Sequence, residues 1–104
     1  MENDGNCEID MNIALANNDW LWESSGYQEP TSNFRYKASF TPSEGGAFNS
    51  SGSQVTWANV PDSNTTFIDL FNHTSGNNSA EVDIYIEVPS AEPEGDKGAS
   101  IVFT

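Results

Sequence analysis

From Cys7 the chain alternates apolar and polar positions: Cys7, Ile9, Met11, Ile13 and Leu15 fall on one side, with Glu8, Asp10 and Asn12 on the other. A period of two is the signature of a half-buried strand. The pattern predicts that Cys7 is a buried, inert thiol on the apolar side. After the polar break Ala16-Asn17-Asn18-Asp19, the run Trp20-Leu21-Trp22 reads as a second short strand, followed by turn-rich sequence from Ser24 to Ser32. Phe34, Tyr36, Ala38 and Phe40 then alternate with Arg35, Lys37 and Ser39, which brings two of the 3 basic residues to one solvent face.

Thr41 to Ser53 holds Pro42, Gly45, Gly46 and Gly52 among serines and reads as a long loop anchored by Ala47 and Phe48. Strand signals return over Gln54 to Asn59, with Val55 and Trp57 on one face. They return again over Thr65 to Phe71, where Phe67-Ile68-Asp69-Leu70-Phe71 also suits one helical turn. Beyond the turn-like Asn72 to Ser79, Val82, Ile84, Ile86 and Val88 alternate with Glu81, Asp83, Tyr85 and Glu87 in the clearest strand of all. The loop Pro89 to Gly98 leads to Ala99, Ile101 and Phe103. Short β segments between turn clusters, without a helical period or repeat, predict an all-β, antiparallel, two-sheet sandwich of about seven strands, with an immunoglobulin-like arrangement as the default. The expected division is a single domain over 7–104, preceded by residues 1–6 as a disordered or artificially added tail. The first and last strands are expected near sheet edges, where unpaired backbone groups can join another subunit.

Charge narrows the partners. With 3 Lys+Arg against 16 Asp+Glu, the 104-residue chain carries a net charge of -13. Such a surface repels phosphate, which argues against nucleic acid and anionic membranes as partners. Carboxylates this dense repel one another until screened, so the acidity fits either simple solubility or adaptation to high salt. Cys7 is the sole cysteine, which rules out an intramolecular disulfide. Glu2, Asn3, Asp4 and Asn6 precede it where a lipoprotein signal would be apolar. No stretch approaches the roughly 18 apolar residues of a membrane span. Export would therefore require a signal sequence that has been removed.

Candidate chemistry is sparse. The sequons Asn49-Ser50-Ser51, Asn64-Thr65-Thr66, Asn72-His73-Thr74 and Asn77-Asn78-Ser79 make Asn49, Asn64, Asn72 and Asn77 glycosylation candidates in an exported protein. His73, the only histidine, sits in a polar loop without an orienting acid or a hydroxyl to activate, and no catalytic residue is assigned. One Cys and one His cannot supply the four N/S ligands of a structural zinc site. Glu92, Glu94 and Asp96 alternate in one loop and are candidates for calcium, which prefers such oxygen clusters, although a solvated acidic turn has the same sequence. Trp20, Trp22 and Trp57 would stack on sugar rings if exposed, although core packing accounts for them more simply. A non-enzymatic role is expected.

The segment Ala80 to Thr104, with Ile86-Glu87-Val88-Pro89, Pro93-Glu94-Gly95 and Ile101-Val102-Phe103-Thr104, resembles the closing hairpin of immunoglobulin-like modules in archaeal and bacterial cell-surface proteins. Asp96-Lys97 stands where that family usually has an aromatic residue. With the acidity and the sequons, the resemblance implies an extracellular or cell-surface structural subunit of surface-layer, pilus or other filament type, from a salt-adapted archaeon. Its implied partners are other protein subunits, including copies of itself, and glycans. A carbohydrate-binding module using the tryptophans and a virion decoration protein are the alternatives.

Overall fold

In a computed structural model that describes residues 1–16 and 19–104, six strands form two antiparallel three-stranded sheets. The strands are β1 (Ile9–Leu15), β2 (Phe34–Phe40), β3 (Ala58–Asn59), β4 (Thr65–Phe71), β5 (Ala80–Ile86) and β6 (Ile101–Phe103). One sheet runs β3-β2-β5 and the other β4-β1-β6. The fold is therefore an all-β two-sheet sandwich, as the periodicity predicts.

The alternation over β2 and β5 places Phe34, Tyr36 and Ala38 opposite Ile86, Ile84 and Val82 on the inner face. Arg35, Lys37 and Ser39 stand opposite Tyr85, Asp83 and Glu81 on the outer one. Ile13 and Leu15 from β1, and Phe67, Ile68 and Phe71 from β4, fill the core against the β2 residues. Tyr36 meets Phe67 edge to face at 5.8 Å between ring centroids, and burial pushes its hydroxyl pKa up. The loop residues Ala47 and Phe48 close the core as expected, Phe48 stacking on Phe40 at 4.2 Å. The molecule is elongated, 46 × 24 × 23 Å with a radius of gyration of 15.1 Å, against about 13 Å for a compact domain of this size.

Several sequence expectations are corrected. Trp20-Leu21-Trp22 is not a strand. Trp22 is buried and Trp20 and Leu21 are half-buried against the core, but the run pairs with no neighbouring strand. Asn17 and Asn18, in the expected break before this run, lie outside the described residues. Over Gln54 to Asn59 only Ala58 and Asn59 pair as a strand, and Val55 and Trp57 are exposed. Gln54 instead bridges the sheets, accepting from the Ala38 amide and donating to the Phe67 carbonyl.

Phe67 to Phe71 is strand, interrupted by register shifts against β1 between Ile9 and Met11 and between Met11 and Asn12. The irregularity lets the neighbours Phe67 and Ile68 both enter the core. Leu70, at φ 52°, turns outward, with its amide held by Asp10. β1 is the central strand of its sheet, not an edge; the edges are β3, β4, β5 and β6. Ala80 to Thr104 is not a hairpin, because β5 and β6 belong to opposite sheets.

The N-terminal residues do not trail away as a disordered tail. Glu2 bridges Ser79, the Asn3 amide donates to the Asn78 carbonyl, and the Ala80 amide donates to the Met1 carbonyl. Buried Asn3 donates to the carbonyls of Cys7 and Phe71 and accepts from the Gly5 amide. This ties residues 3–7 into a turn that leaves Cys7 exposed, outside the strand and not in the core.

Phe67→Ala is expected to lower unfolding free energy by about 3–5 kcal/mol, as for other emptied aromatic core positions. Cys7→Ser is expected to stay within about 0.5 kcal/mol of the parent. Denaturant unfolding measures both, and a large loss at Cys7 would contradict its placement.

Candidate functional site at the free edge of β5

From Val82 onward, strand β5 is hydrogen-bonded on one side only among the described residues. The Glu87 amide donates to the Asn33 carbonyl just past the end of β5, which sets the phase of the ladder. In an antiparallel pair the residues exchanging hydrogen bonds alternate with those that do not. Glu81, Asp83 and Tyr85 therefore bond to β2, and the amides and carbonyls of Val82, Ile84 and Ile86 point away from it. Ala80 is in that second set, and its amide is taken by the Met1 carbonyl. The N-terminal segment thus covers the start of the edge and leaves the stretch from Val82 onward open.

The side chains along this open stretch are apolar. They point to the inner face, yet the facing sheet does not cover them: Ile84 is 41% exposed, Ile86 55% and Val88 65%. Ala80, on the same face where the strand starts, is buried. An uncovered row of apolar side chains beside unpaired backbone groups is the feature soluble proteins normally blunt, and it accepts an added strand.

The outer face of the same sheet carries an aromatic and charged cluster. The Arg35 guanidinium lies over the Tyr85 ring, 4.0 Å from its centroid, and the Lys37 ammonium lies 4.8 Å from that of Trp57. The two rings are 5.8 Å apart and tilted. The Arg35 Nε is buried without a hydrogen-bond partner, as befits a guanidinium pressed on an aromatic face. Ion pairs among the described residues involve Lys97 alone, so Arg35 and Lys37 are held by rings and not by carboxylates. The acids nearby are on β5 or just past its end: Asp83 accepts from the Ser39 hydroxyl and Glu87 from the Tyr85 hydroxyl.

The acidic loop after β5 is a clasp. Glu92 accepts from the backbone amides of Glu23, at 2.9 and 3.1 Å, and of Ser24, at 3.0 Å, and from the Ser24 hydroxyl at 2.9 Å. Lys97 stands 2.9 Å from Glu92 and 3.1 Å from Glu23. Burial alone pushes the Glu92 carboxyl pKa up, but these donors and the ammonium outweigh it and hold it at about 2. Lys97 is raised in return, chiefly by its bond to Glu92.

Glu44 repeats the device, accepting from the amides of Asn78 and Ser79 and from the Ser79 hydroxyl. The Ser79 hydroxyl is the main cause of its lowered pKa, against desolvation. Of the calcium candidates, Glu92 is thus committed to the chain itself, while Glu94 and Asp96 are exposed. Among the described residues no three Asp, Glu, His or Cys side chains gather to hold a metal ion, and no pocket opens.

The tryptophans separate. Trp22 is 3% exposed and offers no surface to a ligand, Trp20 is half-buried, and Trp57 is 42% exposed. The sequon asparagines also differ. Asn49 donates its side-chain amide to Asp69 and accepts from Ser51. Asn72 caps a turn by accepting from the amides of His73 and Thr74, and Asn77 accepts from the Gly46 amide. Asn64 is exposed on the loop before β4. His73 is half-buried, its Nδ1 without a hydrogen-bond partner among the described residues.

Tyr85 and the carboxylate clasps were missed in the sequence reading. Tyr85 was within reach, because alternation puts it on the same face as Arg35, whereas the clasps join residues remote in sequence. No family model, no curated protein and no solved structure matches the chain.

Glu92→Gln provides a test of the clasp through pH. The folded-state pKa of Glu92 is about 2, below the ordinary 4.5. The stability it confers is therefore present above the ordinary value and is lost as pH falls toward the depressed one. The gap in melting temperature between parent and variant is expected to be widest above pH 5 and to close toward pH 2. A gap independent of pH would contradict the assignment.

Proposed function

We propose that the chain is an extracellular structural or interaction module of immunoglobulin-like type, a subunit of a cell-surface or filament assembly that joins its neighbours through strand edges. The observation that carries this reading is the open edge of β5 with Ile84, Ile86 and Val88 uncovered beside it. A protein acting alone gains nothing from exposing such an edge, whereas a subunit buries it on assembly. The elongated shape suits a module stacked in a lattice or filament. The net charge of -13 suits a surface kept soluble in salt. Immunogold labelling of intact producing cells is expected to mark the cell surface or a filament, and labelling confined to the cytoplasm would overturn the proposal.

Salt adaptation follows from the same charge. The melting temperature is expected to rise steadily from dilute buffer to molar KCl, as screening relieves repulsion among the carboxylates. An unchanged melting temperature would count against it. If the exported protein is glycosylated, Asn64 is expected to carry glycan ahead of Asn49, whose amide nitrogen is engaged with Asp69; peptide mapping of native material reads this directly.

A second reading, carbohydrate binding, is favoured by one observation: the Trp57 indole is exposed and lies beside Tyr85 and Lys37 on the outer face of the sheet. Glycan-array binding lost in Trp57→Ala and kept in Ile86→Glu would establish it over the first.

A further inference from the structure

The open edge of β5 has a chemistry that selects its partner. Its inner-face residues, Val82, Ile84, Ile86 and Val88, are apolar, and its outer-face residues, Glu81, Asp83, Tyr85 and Glu87, are acidic in three positions of four. A strand laid along the edge sets its own side chains directly across from these, on the same two faces. It must therefore be apolar inward and is favoured when basic outward.

A second β5 fails this condition. In any antiparallel register its carboxylates meet those of the first strand or Tyr85, and each copy adds a charge of -13. The strand that already occupies the opposite side of β5 satisfies it. β2 places Phe34, Tyr36 and Ala38 inward and sets Arg35 and Lys37 outward, opposite Tyr85 and Asp83. The protein thus displays on one side of β5 the kind of sequence that fits the other.

We propose that the free edge of β5, from Val82 to Val88, binds an extended segment of another protein in which apolar residues alternate with Lys or Arg, added antiparallel as a further strand of the β3-β2-β5 sheet. This rests on the reading of the chain as an edge-joined subunit and gives the partner its chemistry. The N-terminal segment is a local precedent, since Met1 already pairs with Ala80 where the same edge begins. The added strand would cover Ile84, Ile86 and Val88 and set a row of cations on each side of the β5 acids.

The probe is a fluorescently labelled peptide with the sequence of residues 33–41, titrated with the intact chain in low salt and followed by anisotropy. Saturable binding is expected, weakening as salt is added. Arg35→Glu with Lys37→Glu in the peptide, and Ile86→Glu in the chain, are each expected to weaken it about tenfold or more, the scale of two reversed charge pairs or one lost apolar side chain. Val102→Glu on β6 is expected to leave it unchanged. Ile86→Glu makes the chain more acidic, so purely electrostatic attraction would strengthen binding to this variant and would overturn the proposal. Equal binding of the charge-reversed peptide would also overturn it. If the peptide does not bind but the chain self-associates and Ile86→Glu abolishes that association, the partner assignment falls while the edge-joined reading stands. If the peptide does not bind and no association depends on Ile86, both fall.

Discussion

The pairing of β2 with β5 holds the rest of the molecule in place and also sets what it exposes. Cross-strand pairs run without a break from Phe34↔Ile86 to Phe40↔Ala80, and one alternation decides everything along them. The phase that buries Phe34, Tyr36 and Ala38 also sends the backbone groups of Val82, Ile84 and Ile86 to the free side of β5. A shift of one residue would bring Arg35 and Lys37 into the core. The open edge is therefore a direct consequence of the register that makes the core.

A second constraint is the shortage of cations. With 3 basic residues for 16 acids, most carboxylates have no ammonium or guanidinium to face. Several are satisfied by backbone amides remote in sequence. Glu92 holds Glu23 and Ser24, Glu44 holds Asn78 and Ser79, Asp19 holds Ser100, and Asp10 holds Leu70. Charge-assisted bonds of this kind are stronger than neutral ones, and they fasten long connections that a small core would leave loose. Acidity here is partly a structural material, and Arg35 and Lys37 are left to rest on the rings of Tyr85 and Trp57.

The sequence made the sheets legible wherever alternation was clean. β2 and β5 fall where period two puts them, because their cross-strand pairs form an unbroken ladder, and β2 keeps one face on the core. Reading failed where the local pattern yielded to tertiary contacts. Trp20-Leu21-Trp22 looks like a strand but pairs with none, its side chains held by packing instead. Cys7 continues the β1 alternation on paper, yet buried Asn3 captures its carbonyl and holds it outside the strand. The resemblance to immunoglobulin-like modules implies a final hairpin, whereas the connection between β5 and β6 crosses from one sheet to the other, clasped midway by Glu92 and Lys97. The candidate site was half legible: the apolar and acidic faces of β5 could be read from residue order, but not that β5 lies at an edge.

Amide hydrogen exchange along β5 in the dilute monomer tests the central claim residue by residue. Glu81, Asp83, Tyr85 and Glu87, whose amides bond toward β2, should be protected, and Val82, Ile84 and Ile86 between them should exchange rapidly. Uniform protection from Glu81 to Glu87 would mean that the edge is already covered, and the account of this protein as a strand acceptor would be wrong.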